Sequence, residues 1–232
     1  MSKNQWEGIA SKTKKLQDLR NEAINKKLIS TIEWFQPEGN KAFDYGCGWG
    51  EFANILEKKG FEVFAFDDSD SMVINARSKF KKPKFLLKEE FYKQLPGLKN
   101  EFDLVVSNLV LCILTQADQK ILIDNVKQLL KQNGVAVISF CHPADYITES
   151  VLSRRIRPYE LNPKYDKEFK YRKIIHENRI EFDDFHRPLE YYTNFFVDNG
   201  FEILDITESD VLKTEFYPDF IIFTLKKCRY KK

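Results

Sequence analysis

The chain has 232 residues, of which 37 are basic and 35 acidic, so its formal net charge is +2. This length suits one large α/β domain, and the balanced charge leaves no field of one sign that would bind bulk nucleic acid or a membrane surface. The first residues contain no apolar signal segment, and no run approaches the roughly 18 apolar residues of a membrane span. We therefore expect a cytoplasmic protein without a membrane partner.

The four cysteines, Cys47, Cys112, Cys141 and Cys228, are widely separated and form no C-x-x-C pair. Three of them fall in predicted buried strands or in a glycine-rich loop. This pattern predicts structural thiols in a reducing cytosol rather than disulfides or a metal site.

Helix-like and strand-like periods alternate along most of the chain. Residues 5–34 have an amphipathic pattern without prolines, which predicts one or two helices closed by Pro37 and Gly39. The pattern then predicts strands at about 40–45, 62–67, 84–87, the first half of 102–114 and 135–140, with helices at 50–59, 71–80 and 117–131, Gly60 as one C-cap and Gln132-Asn133-Gly134 as another. This alternation indicates a doubly wound parallel sheet.

The rhythm changes after Phe140. Residues 144–187 are rich in charged and aromatic side chains and show little periodicity, which fits either a solvated insertion or a lid over the carboxyl edge of the sheet. A helix at 188–199 and two strands, FEILDI and DFIIFTLKK, follow and fit an antiparallel edge.

The fold class predicted is therefore α/β, with a doubly wound, mostly parallel seven-stranded sheet in a single domain. Its parts are an N-terminal helical cap (1–38), a cofactor-binding core (39–143), a lid or insertion (144–187) and a C-terminal helix with edge strands (188–232).

The stretch FDYGCGWGEF at 43–52 places Gly46, Gly48 and Gly50 at alternate positions between a predicted strand and a predicted helix. Such glycines let the backbone turn tightly beside a ligand, and the free N–H groups of the helix point at that ligand. Asp67 ends the next strand, where a carboxylate meets ribose hydroxyls. The spacing G-x-G-x-G differs from the G-x-G-x-x-G of dinucleotide sites and favours a nucleoside without a pyrophosphate.

The glycine loop, Asp67 and this strand order together resemble class I S-adenosylmethionine-dependent methyltransferases, strongly over about 40–140 and more loosely over 186–226. The resemblance implies S-adenosyl-L-methionine as cofactor and S-adenosyl-L-homocysteine as product. It implies that Asp44 lies under the methionine amino end, that the loop of Gly46, Cys47 and Gly48 passes beneath the methionine portion, and that Asp67 holds the ribose hydroxyls. Further contacts implied are Asp68 and Met72 beside the adenine, Glu89 or Glu90 at its amino group, and the backbone near Ser107 and Asn108 at the methionine amino group.

Two further stretches, CHPADY at 141–146 and FHRPLEYYTNFFVDNGFEI at 185–203, resemble segments of small-molecule methyltransferases. Many relatives carry a histidine a few residues past the fourth strand, where this chain has Leu111-Cys112-Ile113. This difference removes a familiar base candidate.

Other side chains are candidates for catalysis or for acceptor binding. His142 and His186 are the catalytic candidates, with a role in loop structure or helix capping as the alternative for each, and His176 is expected at the solvated surface. Arg154, with Arg155 and Arg157, either clamps an acidic acceptor or forms a solvated face. Tyr146 and Tyr191, with Tyr159 and Tyr192, either line an acceptor pocket or pack the core.

The function predicted is methyl transfer from S-adenosylmethionine to an oxygen or nitrogen of a small-molecule acceptor, such as a metabolite or natural-product intermediate. The alternatives are a carrier-bound or nucleic-acid acceptor and a non-catalytic S-adenosylmethionine-binding protein. The near-neutral charge disfavours nucleic acid, and the glycine spacing disfavours a nicotinamide-dependent oxidoreductase.

Overall fold

The computed structural model describes residues 5–10, 19–145, 153–156, 164–175, 180–212 and 217–228. Seven α-helices are described: α1 Gln5–Ala10, α2 Leu19–Phe35, α3 Glu51–Lys58, α4 Asp70–Lys79, α5 Lys88–Gln94, α6 Gln116–Leu129 and α7 Leu189–Asp198. Ten strands are described: β1 Lys41–Tyr45, β2 Glu62–Phe66, β3 Lys84–Leu86, β4 Phe102–Asn108, β5 Leu130–Cys141, β6 Ser153–Ile156, β7 Phe169–Ile175, β8 Ile180–His186, β9 Phe201–Glu208 and β10 Phe220–Lys227. None of the helices in these ranges combines the length and the apolarity needed to cross a bilayer.

Seven strands form the main sheet in the order β3-β2-β1-β4-β5-β10-β9. The first five pair in parallel, and β10 runs antiparallel to both β5 and β9. Apolar side chains from α5, α6 and α7 pack on one face, and those from α2, α3 and α4 pack on the other. This arrangement confirms the doubly wound, mostly parallel seven-stranded fold, because βαβ crossovers cover both faces of a parallel sheet.

The helices of the core begin where the sequence supplies caps. The Ser69 hydroxyl accepts from the Met72 N–H at 3.3 Å at the start of α4. The Thr115 hydroxyl accepts from the Asp118 N–H at 3.3 Å at the start of α6. Gly60, at φ +97°, follows the end of α3 as predicted, because a left-handed residue there favours glycine.

Two local predictions in the core were wrong or incomplete. Gln132-Asn133-Gly134 does not cap α6, which ends at Leu129, and β5 begins at Leu130. Both leucines are fully buried, so the strand follows the helix without a connecting turn. The pairing of β5 with β4 contains a register shift between Phe102 and Leu104, which accommodates the extra residues of β5. Helix α5 was not predicted, although Glu90 accepts from the Leu87 N–H at 2.8 Å in the manner of a capping box.

The insertion is more regular than its sequence indicated. Strands β6, β7 and β8 form a separate antiparallel sheet, and alternate residues of β7 and β8 are buried. The prediction of little periodicity was wrong, because FKYRKII and IEFDDFH alternate with period two. Lys173 and Asp184 on the buried side concealed that alternation. Strand β8 lies against the short turn Leu111–Ile113 that follows β4.

Candidate functional site

A cavity of about 1590 Å³ opens at the carboxyl ends of β1, β2 and β4. This is the edge at which open α/β sheets bind their ligands. Its walls also include residues of α1, α2 and α6 and, from the insertion, Lys170, Asp183 and Phe185. Ligand pockets usually measure about 300–1,000 Å³, so this cavity has room for two molecules side by side.

The glycine loop forms the floor of the cavity. The Gly46 and Cys47 N–H groups donate to the Phe66 carbonyl at 2.7 and 2.9 Å, which fixes the turn between β1 and α3. Gly46 and Gly48 have φ values of +87° and +51°. A Cβ added at Gly46 would lie 2.2 Å from a Val110 methyl, whereas one added at Gly48 would meet nothing within 4 Å. Gly48 therefore leaves its backbone bare toward the cavity.

Asp67 ties the end of β2 to this loop and lines the cavity. Its Oδ2 accepts from the Gly48 N–H and its Oδ1 from the Ser69 N–H, both at 2.9 Å. Burial raises the pKa of Asp67 to about 6. A carboxylate accepts up to about four hydrogen bonds, so this group retains capacity for a ligand's hydroxyls.

Asp44 is the most unusual group of the cavity. It is 1% exposed, and neither carboxylate oxygen makes a hydrogen bond of ordinary geometry among the described residues, although the Ala53 N–H lies near enough to lower the Asp44 pKa in part. Burial, followed by the nearby charge of Asp67, raises the pKa of Asp44 to about 7. A buried carboxylate without partners is costly, and a cationic ligand group placed beside it would relieve that cost.

The corner expected to hold the adenine contains residues that the sequence did not single out. Glu89 is exposed, and Glu90 is held by the Leu87 N–H and by an ion pair with Arg77. Neither glutamate lines the cavity, and the expectation that one of them meets the adenine amino group stays a prediction without support from the cavity lining. Lys88 and Tyr92 line it instead, and the Lys88 Nζ lies 2.5 Å from the Asp68 Oδ1.

Asp68 and buried Met72 both line the cavity, as does Asn108 at the end of β4. The Asn108 amide donates to the Asn25 Oδ1 at 3.2 Å and accepts from the Ser139 hydroxyl at 2.6 Å, which fixes its orientation. Ser107 is fully buried and does not line the cavity. The β4 motif therefore meets the cavity through Asn108 and the residues that follow it.

Neither catalytic histidine candidate lies in the large cavity. The His142 Nδ1 accepts from the Ala144 N–H at 3.1 Å, and its Nε2 lies 3.0 Å from a Glu208 oxygen, to which it donates. The His186 Nε2 donates to the Tyr165 carbonyl at 2.8 Å, and burial lowers the pKa of this imidazole. Both rings are held by these hydrogen bonds and are absent from the lining of the large cavity, and a catalytic role for either histidine stays a prediction.

The acceptor-binding candidates are only partly described. Four of the residues named above lie outside the described part of the chain: Tyr146, Tyr159, Arg157 and His176. Arg154 is described only by its backbone, which pairs in β6 with Ile174 of β7. Tyr191 does not line the cavity. Its hydroxyl donates to the Gln119 Oε1 at 2.7 Å, and its ring stacks on Phe195, which is the packing alternative.

Aromatic and apolar side chains cover the cavity where α1 meets the insertion. The Gln5 side-chain oxygen accepts from the Asp183 N–H at 2.9 Å, and its nitrogen donates to the Asp183 carbonyl at 3.3 Å. The centroid of the Trp6 ring lies 5.3 Å from that of the Phe182 ring. Trp49 and Met72 belong to the same apolar cluster. The insertion residues in the cavity wall were not predicted from the sequence. The period-two pattern of β7 and β8 was the signal that could have identified them.

The comparisons with known proteins agree with this geometry. Residues 43–138 match the family model described as "Methyltransferase domain". The chain is 30% identical over 102 residues to a putative methyltransferase, YqeM, of Bacillus subtilis, which covers 44% of this chain and 40% of the relative. It is 28% identical over 110 residues to an uncharacterized methyltransferase of Synechocystis, which covers 47% of this chain and 51% of the relative. The chain thus spans about half the length of the curated relatives it matches.

Solved structures share the fold across most of the chain. A putative S-adenosylmethionine-dependent methyltransferase from Listeria monocytogenes superposes with a TM-score of 0.62 at 19% identity, over 86% of this chain and 97% of that one. The glycopeptide N-methyltransferase MtfA, solved with S-adenosylmethionine, superposes with a TM-score of 0.64 at 14% identity, over 88% and 93%. Strand order, glycine loop and family match agree: residues 43–138 carry a methyltransferase domain, and the chain has the fold of these S-adenosylmethionine-dependent enzymes.

Proposed function

We propose that this protein binds S-adenosyl-L-methionine and transfers its methyl group to an oxygen or nitrogen of a small-molecule acceptor. The observation that carries the proposal is one continuous cavity. The glycine loop and buried Asp44 line it together with the apolar residues after β4 and with Phe185 of the insertion. Its volume of about 1590 Å³ supports cofactor and acceptor together.

The residues present fit the cofactor. Gly48 leaves open space where another residue would have a side chain. Each carboxylate oxygen of Asp67 accepts one backbone N–H and has a further lone pair, which supports a role in holding ribose hydroxyls. Asp44 supplies negative charge for a cationic ligand, and S-adenosylmethionine carries both an ammonium and a sulfonium. Bound there, the cofactor would supply an already activated methyl group.

The chain's own contribution to the reaction is alignment and exclusion of water. Leu109, Val110 and Ile113 present an apolar wall beside Asn108, and Trp49, only 7% exposed, covers the loop. An acceptor hydroxyl or ammonium must lose a proton during transfer, whereas a carboxylate need not. Alignment by this wall serves any of these acceptors.

The cover favours a small acceptor over a macromolecule. Helix α1 is bonded through Gln5 to β8 and through Glu7 to Ser71 of α4, so it bridges the insertion and the core across the cavity. A polymer would need an open groove in that place. The balanced net charge of +2 also argues against a nucleic-acid acceptor.

The test uses S-adenosylmethionine labelled in its methyl group, incubated with the protein and with an extract of its source cells separated by ultrafiltration. We expect label to transfer to compounds in the filtrate. Transfer to the retained macromolecules instead would overturn the small-molecule assignment, and binding without any transfer would favour a non-catalytic protein.

Asp67→Ala is expected to weaken the binding of S-adenosylhomocysteine by about 1–3 kcal/mol, because ribose hydroxyls would lose their acceptor in a buried site. Titration calorimetry measures the change. Asp67→Asn, which keeps the size and one acceptor oxygen, should show a smaller loss and serves as the matched control. Unchanged affinity in Asp67→Ala would show that the sugar lies elsewhere.

A further inference from the structure

The buried face of the insertion sheet carries a polar cluster that the cofactor cavity does not use. Lys173, Asp184, Asp145 and Tyr171 are all less than 5% exposed, at 2%, 0%, 3% and 4%. The Lys173 Nζ donates to the Asp145 Oδ2 at 2.9 Å, and the Tyr171 hydroxyl donates to the Asp184 Oδ2 at 3.0 Å. The cluster lies where the insertion packs on the end of β5.

Two cysteines complete this cluster. The sulfurs of Cys112 and Cys141 and a carboxylate oxygen of Asp184 all lie within 4.8 Å of one another. Cys141 ends β5, and Cys112 lies in the turn after β4, so neighbouring parallel strands deliver both thiols to the same edge. The Lys173 Nζ lies 3.2 Å from the Cys141 sulfur.

Two thiols and a carboxylate at this spacing also resemble a set of zinc ligands. Lys173 argues against a metal, because its ammonium contacts Cys141 and Asp145 and lies 3.9 Å from the Asp184 Oδ2. It already supplies the positive charge that the cluster needs, and it would repel a divalent cation. The chemistry that remains is that of the thiols.

The surroundings of the two thiols differ, and the difference makes Cys141 the more reactive one. Reactive cysteines lie beside a cation and are partly exposed, and Cys141 is half-buried beside Lys173. Cys112 is 2% exposed, and its hydrogen bond with Cys141, followed by burial, raises the pKa of its thiol. Cys141 lines a small cavity of about 10 Å³, a volume about the size of one water molecule.

We propose that Cys141 and Cys112 form a reversible oxidation site that responds to hydrogen peroxide. The Cys141 sulfur attacks one peroxide oxygen, the O–O bond breaks, and water leaves, so that Cys141 becomes a sulfenic acid. The Cys112 sulfur then attacks the Cys141 sulfur, the S–O bond breaks, and a second water leaves. In total two thiols lose two electrons and two protons to one peroxide molecule, which becomes two waters.

The disulfide would act on the neighbouring cavity. Cys112 lies in the turn Leu111–Ile113, and its thiol contacts the Leu109 carbonyl at 4.0 Å. Leu109 and Ile113 both line the cofactor cavity. Drawing the sulfurs together to the disulfide distance of about 2 Å shifts this turn, and we expect it to weaken S-adenosylhomocysteine binding by about fivefold or more.

The test treats the Cys228→Ser protein with hydrogen peroxide, because exposed Cys228 would otherwise cross-link molecules. Peptide mass spectrometry without reductant should find the Cys112 and Cys141 peptides joined, with two hydrogens lost, and dithiothreitol should restore both the thiols and the calorimetric affinity. Cys112→Ser should leave a dimedone-reactive sulfenic acid on Cys141, and Cys141→Ser should leave Cys112 reduced. Cys47, which is buried and whose thiol pKa is raised by burial and by the charges of Asp44 and Asp67, is the internal control and should stay reduced.

Three results would overturn the proposal. One is a reduced Cys141 at peroxide concentrations that oxidise Cys228 in the wild-type chain. Another is a bridge from Cys141 to Lys173, marked by the gain of one oxygen and the loss of two hydrogens, in place of the disulfide. The third is a Cys112–Cys141 disulfide that leaves cofactor affinity unchanged, since the sulfurs would then be structurally uncoupled from the cavity.

Discussion

Asp44→Asn is expected to have two opposite effects: it stabilises the ligand-free protein at pH 8 and removes most of its affinity for the cofactor. Asp44 is 1% exposed, and the pKa of its carboxyl is raised by burial, and then by Asp67, to about 7 from an ordinary 3.8. This difference corresponds to about 4 kcal/mol of cost for the ionised group at pH 8. Because the asparagine amide also lacks partners, we expect the free energy of unfolding to rise by about 1–3 kcal/mol.

The pH dependence identifies the cause. The folded protein holds the Asp44 proton more tightly than the unfolded chain does, so the stability from this group is fully present below about pH 4 and is lost as the pH rises through about 7. The advantage of Asp44→Asn should therefore shrink as the pH falls from 8 toward 4. Urea unfolding of both proteins across this range measures it, and an advantage that does not change with pH would contradict the explanation.

The affinity of the same variant is measured by calorimetry with S-adenosylmethionine at pH 8. Loss of a charge facing a cationic ligand should weaken binding by about 2–3 kcal/mol. Asp103→Asn is the matched control, because Asp103 is also buried but lies at the start of β4, where it accepts from the Lys41 N–H and pairs with Lys131. It should destabilise the protein and leave the affinity unchanged. Equal affinity of Asp44→Asn and wild type would show that Asp44 does not face the ligand.

Gly48→Leu is expected to abolish cofactor binding while leaving the protein folded. At Gly48 an added Cβ meets no protein atom within 4 Å, and we expect the rest of a leucine side chain to fill the floor of the cavity, where the nucleoside must lie. The φ of +51° adds a strain of about 1–3 kcal/mol in any non-glycine residue. We expect the affinity for S-adenosylhomocysteine to fall by more than about 3 kcal/mol, or a factor above about 100.

Gly60→Leu separates exclusion of the ligand from backbone strain. Gly60 also has a positive φ, +97°, and open space around an added Cβ, but it follows the end of α3 opposite the glycine loop and does not itself line the cavity. Thermal unfolding should show a loss of stability in both variants, and calorimetry should show a loss of binding in Gly48→Leu only. A Gly48→Leu protein that binds as wild type does would mean that the cofactor does not lie over the loop.

The parts of the fold and site that could be predicted from the sequence are those encoded locally. The turn after β1 needs glycine at Gly46 and Gly48 because of their positive φ, and this requirement is visible as G-x-G. Asp67 follows a strand of apolar residues directly, so its place at the carboxyl edge follows from the strand itself. The short-range cap at Gly60 was equally visible.

The rest depended on contacts between segments that are distant in the chain. Lys173 and Asp184 face inward, where the Lys173 ammonium donates to Asp145 and lies 3.9 Å from Asp184, and these buried charges hid the alternation of β7 and β8. His142 follows β5 as expected, but its ring bonds to Glu208 on β9 and does not line the cavity. Lys88 enters the cavity because α5 starts there, and α5 is a helix of only seven residues.

The central claim is that the bare turn at Gly46 to Gly48 supports a thioether nucleoside whose sugar is held by Asp67. A crystal structure of the protein soaked with S-adenosylhomocysteine tests it most directly. We expect both ribose hydroxyls within hydrogen-bonding distance of the Asp67 carboxylate and the methionine portion lying along the loop, with its ammonium facing Asp44. An empty cavity under saturating ligand, or a ribose bound away from Asp67, would contradict the account.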